Sequence, residues 1–126
     1  MTGVQTCALP ISLLDIDASG APSKYDPATD GLMLMRFLLG YQGNAITANA
    51  TSATPGRTPA QILLHLASIL PLLDVDGDGF ARGSSDGLLI LRYMLNLRGA
   101  VLLAGASVGS ATALQIETAI GRLLPP

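Results

Sequence analysis

Apolar residues fall into blocks separated by polar, glycine-rich stretches. LMLMRFLL at 32–39 and LLILRYML at 88–95 are apolar on nearly every side, broken only by Arg36 and Arg92 at matching positions. Such segments predict helices that sit centrally in a core. They are expected over about Asp30–Leu39 and Asp86–Leu97, with Thr29 and Ser85 as N-caps and each aspartate at the positive end of its helix. A second kind of block, about Thr58–Leu70 and Thr112–Leu124, has the apolar spacing of an amphipathic helix. Pro59 suits the first turn of one, and Pro71 stops it before Leu72. Alternating strand patterns are missing and β-branched residues are sparse, so the expected fold class is all-α.

The blocks recur in order. LLDIDASG at Leu13–Gly20 returns as LLDVDGDG at Leu72–Gly79, and TDGLMLMRFLLGYQG at Thr29–Gly43 returns as SDGLLILRYMLNLRG at Ser85–Gly99. Further on, NAITANA at 44–50 matches AVLLAGA at 100–106, and TPAQI at 58–62 matches TALQI at 112–116. The spacing drifts from 59 to 56 to 54 residues, which locates one insertion in the first Asp-rich loop and another in the linker before Thr58. Two tandem units are expected, residues 13–71 and 72–126, each with an Asp/Gly loop, a helix, a Gly/Ala/Thr connector, a second helix and a closing proline, Pro71 or Pro125.

Residues 1–12 stand apart. MTGVQTCALPI at Met1–Ile11 resembles the in-frame translation of a sequencing adapter, with a GTG codon read as initiator. On that reading the native chain starts near Ser12 as a piece of something longer, and Cys7, the single cysteine, says nothing about redox compartment.

The charge pattern sharpens the picture. The formal net charge is −2, which gives no footing for a nucleic-acid surface. Arg36, Arg92, His65 and Pro71 interrupt the apolar runs well short of the ~20 residues of a membrane-spanning helix. Eight of the nine acids are aspartates, and all eight fall between Asp15 and Asp30 or between Asp74 and Asp86. That clustering asks for a local cause.

Asp74-Val75-Asp76-Gly77-Asp78-Gly79 sets carboxylates at loop positions 1, 3 and 5 and glycine at 6. A hard cation such as Ca2+ takes six to eight oxygens, and this spacing turns three side chains toward one point. Phe80 at position 7 would offer its carbonyl, and Asp86 at position 13 would close the set with both oxygens. In the first loop Asp15 and Asp17 keep positions 1 and 3, Ser19 replaces the acid at 5, and Gly20 is retained. Alignment of the two units makes Ala21-Pro22-Ser23 the insertion and pairs Asp30 with Asp86. Plain counting instead puts Asp26 at position 12, so Asp26 and Asp30 compete for the terminal role, with TDG matching SDG in favour of Asp30.

Paired loops of this kind, each followed by one apolar helix and lacking a full entering helix, resemble a dockerin-type tandem of half EF-hands. They are also similar to bacterial tail repeats of the form DxDGxGxxxxxTDGLLLLRYLFG. The second helix of each unit, and a terminal acid at position 13 rather than 12, are additions to that pattern. The resemblance implies a Ca2+-binding module at the end of a larger secreted or cell-surface protein, with a cohesin-like or other surface protein as docking partner. A dockerin of a polysaccharide-degrading enzyme and a helical repeat with vestigial loops are the rival readings. Catalysis by this chain itself is not expected: His65 lies among leucines and alanines and reads as structural, and no nucleophile motif accompanies it. Arg36 and Arg92 read either as snorkelling side chains or as partners of an Asp loop.

Overall fold

The computed structural model describes residues 12–19, 25–106 and 108–124. The adapter-like stretch with Cys7, position 6 of the first loop (Gly20), the insertion Ala21-Pro22-Ser23 and the closing Pro125 lie outside the described residues. Within them the chain is all-α: helices and turns, and no strand.

The amphipathic helices form where capping chemistry starts them. Helix α3, Pro59–Ile69, and helix α6, Ala113–Gly121, both open on a capping box. The Gln61 N–H donates to Thr58 Oγ1 at 3.2 Å while the Thr58 N–H donates to Gln61 Oε1 at 2.8 Å, and Thr112 with Gln115 repeats the exchange. α3 gives way at Ile69 to a 3-10 turn, Leu70–Leu72, which contains Pro71 and leads into the second Asp loop.

The apolar helices begin differently from expectation. α1 is Leu32–Leu38 and α4 is Leu88–Met94, and each is preceded by one wide π-type turn, Pro27–Gly31 and Gly83–Gly87. Thr29 and Ser85 are therefore inside a helical turn rather than at its cap. In the first unit Asp26 does the capping, accepting the Ala28 N–H at 2.9 Å, and in the second Arg82 occupies that place without a side-chain cap. α4 also stops short of Leu97, because Asn96 turns left-handed (φ 68°) and the Leu97 N–H folds back to the Arg92 carbonyl.

The connectors hold a further correction. Each contains a single helical turn, α2 at Asn44–Thr47 and α5 at Ala100–Leu103, launched from a left-handed glycine, Gly43 or Gly99. Turns this short are unstable alone. Arg36 Nη1 donates to the carbonyls of Ala45, Ile46 and Ala48 at 3.3, 3.1 and 2.8 Å, and Arg92 Nη1 to that of Leu102 at 2.9 Å. Both arginines thus cap the C-terminal carbonyls of α2 and α5, and among the described residues neither binds an Asp loop.

The core is built from Leu14 and Ile16 beside the first loop, Met33 and Leu34 of α1, Ile62 and Leu66 of α3, Leu73 and Val75 beside the second loop, Leu89 and Ile90 of α4, and Ile116 and Ile120 of α6. α1 packs on the π-type turn before α4, and α4 on the one before α1. A Cβ at Gly31 would meet Leu91 Cδ1 at 2.8 Å, and one at Gly87 would meet Met35 Sδ at 3.0 Å, so each glycine permits the close approach of the opposite helix. This reciprocal packing fixes both Asp loops against one core.

Candidate metal centre

In the second loop the carboxylates of Asp74, Asp76, Asp78 and Asp86 each present an oxygen within 4.8 Å of the others. Oxygens held about 2.4 Å from a common cation lie up to roughly 4.8 Å apart, so the arrangement could hold a metal ion. Backbone donors shape it. The Asp78 N–H reaches both Asp74 Oδ1 and Asp76 Oδ1 at 3.2 Å, and the Gly79 N–H reaches Asp74 Oδ2 at 2.8 Å. Gly77 and Gly79 adopt φ of 73° and 96°, conformations that glycine reaches without strain, and these let the loop fold around its acids.

Asp86 is fully buried and closes the loop like a staple. Its Oδ1 accepts the N–H groups of Val75 at 2.9 Å and Asp76 at 3.2 Å, while Oδ2 accepts the Arg82 N–H at 2.8 Å and the Ser85 hydroxyl at 3.4 Å. The π-type turn is what carries this carboxylate back to the loop. Asp78, at the exposed edge, pairs with Arg82 at 2.6 Å. Phe80 contributes no carboxylate: its N–H donates to Asp78 Oδ1 at 2.9 Å, and its exposed ring lies under the Arg82 guanidinium.

One atom stands out. Asp76 is 9% exposed, and its Oδ2 has no hydrogen-bond partner. Burial, with the adjacent Asp74 carboxyl second, pushes the Asp76 pKa up to about 7. Asp78 goes the other way: the Phe80 N–H holds it below the usual range against desolvation, with Arg82 adding to the lowering.

The first loop gathers Asp15, Asp17 and Asp30 in the same manner and could also hold an ion. Asp30 repeats the staple, taking the Ile16 and Asp17 N–H groups on Oδ1 at 2.8 and 3.3 Å and the Asp26 N–H on Oδ2 at 2.7 Å. Of the two candidates for the terminal role, Asp30 lies in the cluster, whereas Asp26 is an exposed helix cap. Burial raises the Asp30 pKa to about 7 against the Asp26 N–H, with Asp17 and Asp15 adding to the rise. Ser19, at position 5, sends its N–H to Asp15 Oδ1 and Asp17 Oδ1 at 3.2 Å each, and its hydroxyl lies 3.5 Å from Asp15 Oδ1.

The loops differ in what else touches them. A strap of linker, residues 51–57, lies on the first. The Ser52 N–H donates to Asp17 Oδ2 at 2.7 Å, and the Gly56 and Arg57 N–H groups donate to the Asp17 carbonyl. Arg57 Nη1 reaches the carbonyls of Asp15 and Ile16 at 2.8 and 2.9 Å. Burial works against ionisation of Asp17, yet the donors from Ser52 and Ser19 leave its pKa below the usual value. His65 donates from Nε2 to the Leu13 carbonyl at 2.8 Å, with burial and then Arg57 lowering its pKa against that hydrogen bond. Sequence reasoning placed an insertion in this linker but assigned no role to Ser52, Gly56 or Arg57. The repeat alignment marks the extra residues; nothing local tells where they dock.

No helix of the described residues is long and apolar enough to cross a membrane. Comparison with known proteins finds no matching family model, no matching curated protein and no matching solved structure.

Proposed function

We propose that this chain is a non-enzymatic calcium-binding helical module whose principal site is the loop Asp74–Asp86. The observation that carries the reading is Asp76 Oδ2, a buried carboxylate oxygen without a donor inside a group of four convergent carboxylates. A buried acceptor left unsatisfied is costly, and a cation is what the surrounding oxygens would satisfy it with. Asp74, Asp76, Asp78 and Asp86 would be the side-chain ligands, with the Phe80 carbonyl as a further oxygen. An oxygen-only donor set suits a hard cation, and a flexible loop suits Ca2+ better than the tighter octahedral Mg2+. The Asp15, Asp17, Asp30 site is the weaker one, because Ser19 replaces an acid and Ser52 already serves Asp17. Calcium bound to the native state alone would stabilise the fold, and the dockerin resemblance extends this to docking or spacing within a larger secreted or surface protein.

The test is calorimetric titration of the chain, stripped with EDTA and dialysed free of it, with CaCl2, then MgCl2. Expected is one principal calcium site with Kd of roughly 10⁻⁴ to 10⁻³ M, the range of extracellular modules, and weaker magnesium binding. Asp78→Ala should abolish that site. A chain without calcium heat, or an unchanged isotherm in Asp78→Ala, would contradict the proposal.

A further inference from the structure

A cleft of about 540 Å³ opens between the second loop and α6. Its origin lies in two residue exchanges between the units. In the first unit Arg57 and His65 fill the space between α3 and the loop and bond to the carbonyls of Leu13, Asp15 and Ile16. The aligned positions in the second unit are Ala111 and Ala119, and both line the cleft. The linker there is also shorter, so nothing equivalent to the strap lies on the second loop among the described residues.

The acceptors that the strap uses are still present. In the first unit Arg57 Nη1 serves the carbonyls of Asp15 and Ile16, while the N–H groups of Gly56 and Arg57 serve that of Asp17. Their counterparts are the carbonyls of Asp74, Val75 and Asp76, three residues that line the cleft. Among the described residues the first receives only the Gly77 N–H at 3.4 Å, and the other two receive no hydrogen bond. Asp74 and Asp76 set two acids against one cation, Arg122, in the lining.

We infer that this cleft is a binding site for an extended, arginine-containing peptide segment of another polypeptide, which lies on the second loop as residues 51–57 lie on the first. The ligand's guanidinium takes the carbonyls of Asp74 and Val75, and its main-chain N–H groups take that of Asp76. The occupant's chemistry is read from the occupied copy of the same surface within this molecule. It does not depend on a metal, because the acceptors are main-chain carbonyls.

The probe is the synthetic peptide TSATPGRT, the sequence of residues 51–58, titrated into the full chain in calcium buffer and followed by amide NMR shifts and calorimetry. Expected is saturable binding with shifts at Val75, Asp76, Ala111 and Ala119, weakened at least ~10-fold when the peptide carries Arg57→Ala. Ala111→Arg in the protein places a guanidinium where Arg57 stands in the first unit and should abolish peptide binding while leaving the calcium isotherm intact. That retained isotherm separates a failed peptide site from a failed metal site and from misfolding. No binding, shifts elsewhere, an Ala111→Arg variant that still binds, or N-acetylarginine amide binding as tightly as the peptide would each overturn the inference.

Discussion

Asp17 and Asp76 hold the same place in their loops and both are buried, yet Asp17 Oδ2 receives the Ser52 N–H at 2.7 Å and Asp76 Oδ2 receives nothing. The two loops otherwise share their architecture: a terminal aspartate stapling the N–H groups of positions 2 and 3, and an acid at position 1 receiving the N–H of position 5. What differs is a linker segment 35 residues away from Asp17. An acid loop can be satisfied by donors of its own chain or left open, and the donor that separates these two comes from outside the loop.

The largest expected effect probes what the loops share. Asp86→Ala and Asp30→Ala each remove a buried carboxylate and leave several backbone N–H groups unpaired, so each should cost about 3 kcal/mol in denaturant unfolding with EDTA present. A loss below about 1 kcal/mol in either would show that the staple does not hold that loop. Next comes pH. Asp30 and Asp76 have folded pKa values near 7, above the ordinary 3.8, so the native state binds protons that the unfolded state releases. Their contribution is full below about pH 4 and is lost as pH rises toward 7; the lowered Asp17 and Asp78 act only below about 3.8, outside that window. His65, its pKa lowered by burial, opposes this below about 6.5 as one group against two, so in EDTA the midpoint of thermal unfolding should still fall between pH 5 and pH 7.5, most steeply above 6.5. Asp30→Asn and Asp76→Asn should each flatten part of that slope, and calcium should flatten only the Asp76 part.

Gly56→Ala separates the loops. A Cβ there would sit 2.4 Å from the Ala18 carbonyl oxygen, main chain that cannot swing aside, so the strap must lift. Expected are a loss of about 1–2 kcal/mol and faster hydrogen exchange at the Ser52 amide, with calcium affinity of the second loop unchanged. The smallest effect concerns the exposed pair of Arg82 with Asp78. Such pairs are worth about 0.2–1 kcal/mol, so Arg82→Ala should raise calcium affinity by no more than about five-fold.

Much of this difference was readable in the residues, and the unreadable part has a physical cause. The Asp spacing, the repeat and the Thr58 and Thr112 starts are local chemistry, and the helices and acid clusters follow them. Ser19, standing where Asp78 stands in the other copy, already set the two loops apart. The π-type turns escaped because they are set by where Asp30 and Asp86 must reach, not by the preferences of PATDG or GSSDG. α2 and α5 escaped because their last carbonyls are capped by Arg36 and Arg92 from another helix. The strap escaped because Ser52 and Arg57 meet the loop only after the chain has folded back across α1 and α2.

Calcium response in paired variants tests the contrast most directly. For the parent chain, Asp74→Ala and Asp15→Ala, the unfolding midpoint is measured in about 2 mM calcium and again in EDTA, and the difference is compared. A site with Kd of roughly 10⁻⁴ to 10⁻³ M gives about 1–2 kcal/mol there, a shift of several degrees in a chain of this size. Expected is that Asp74→Ala loses most of that shift and Asp15→Ala keeps most of it. Equal losses, a larger loss from Asp15→Ala, or superimposable parent curves with and without calcium would contradict the assignment of the second loop as the calcium site.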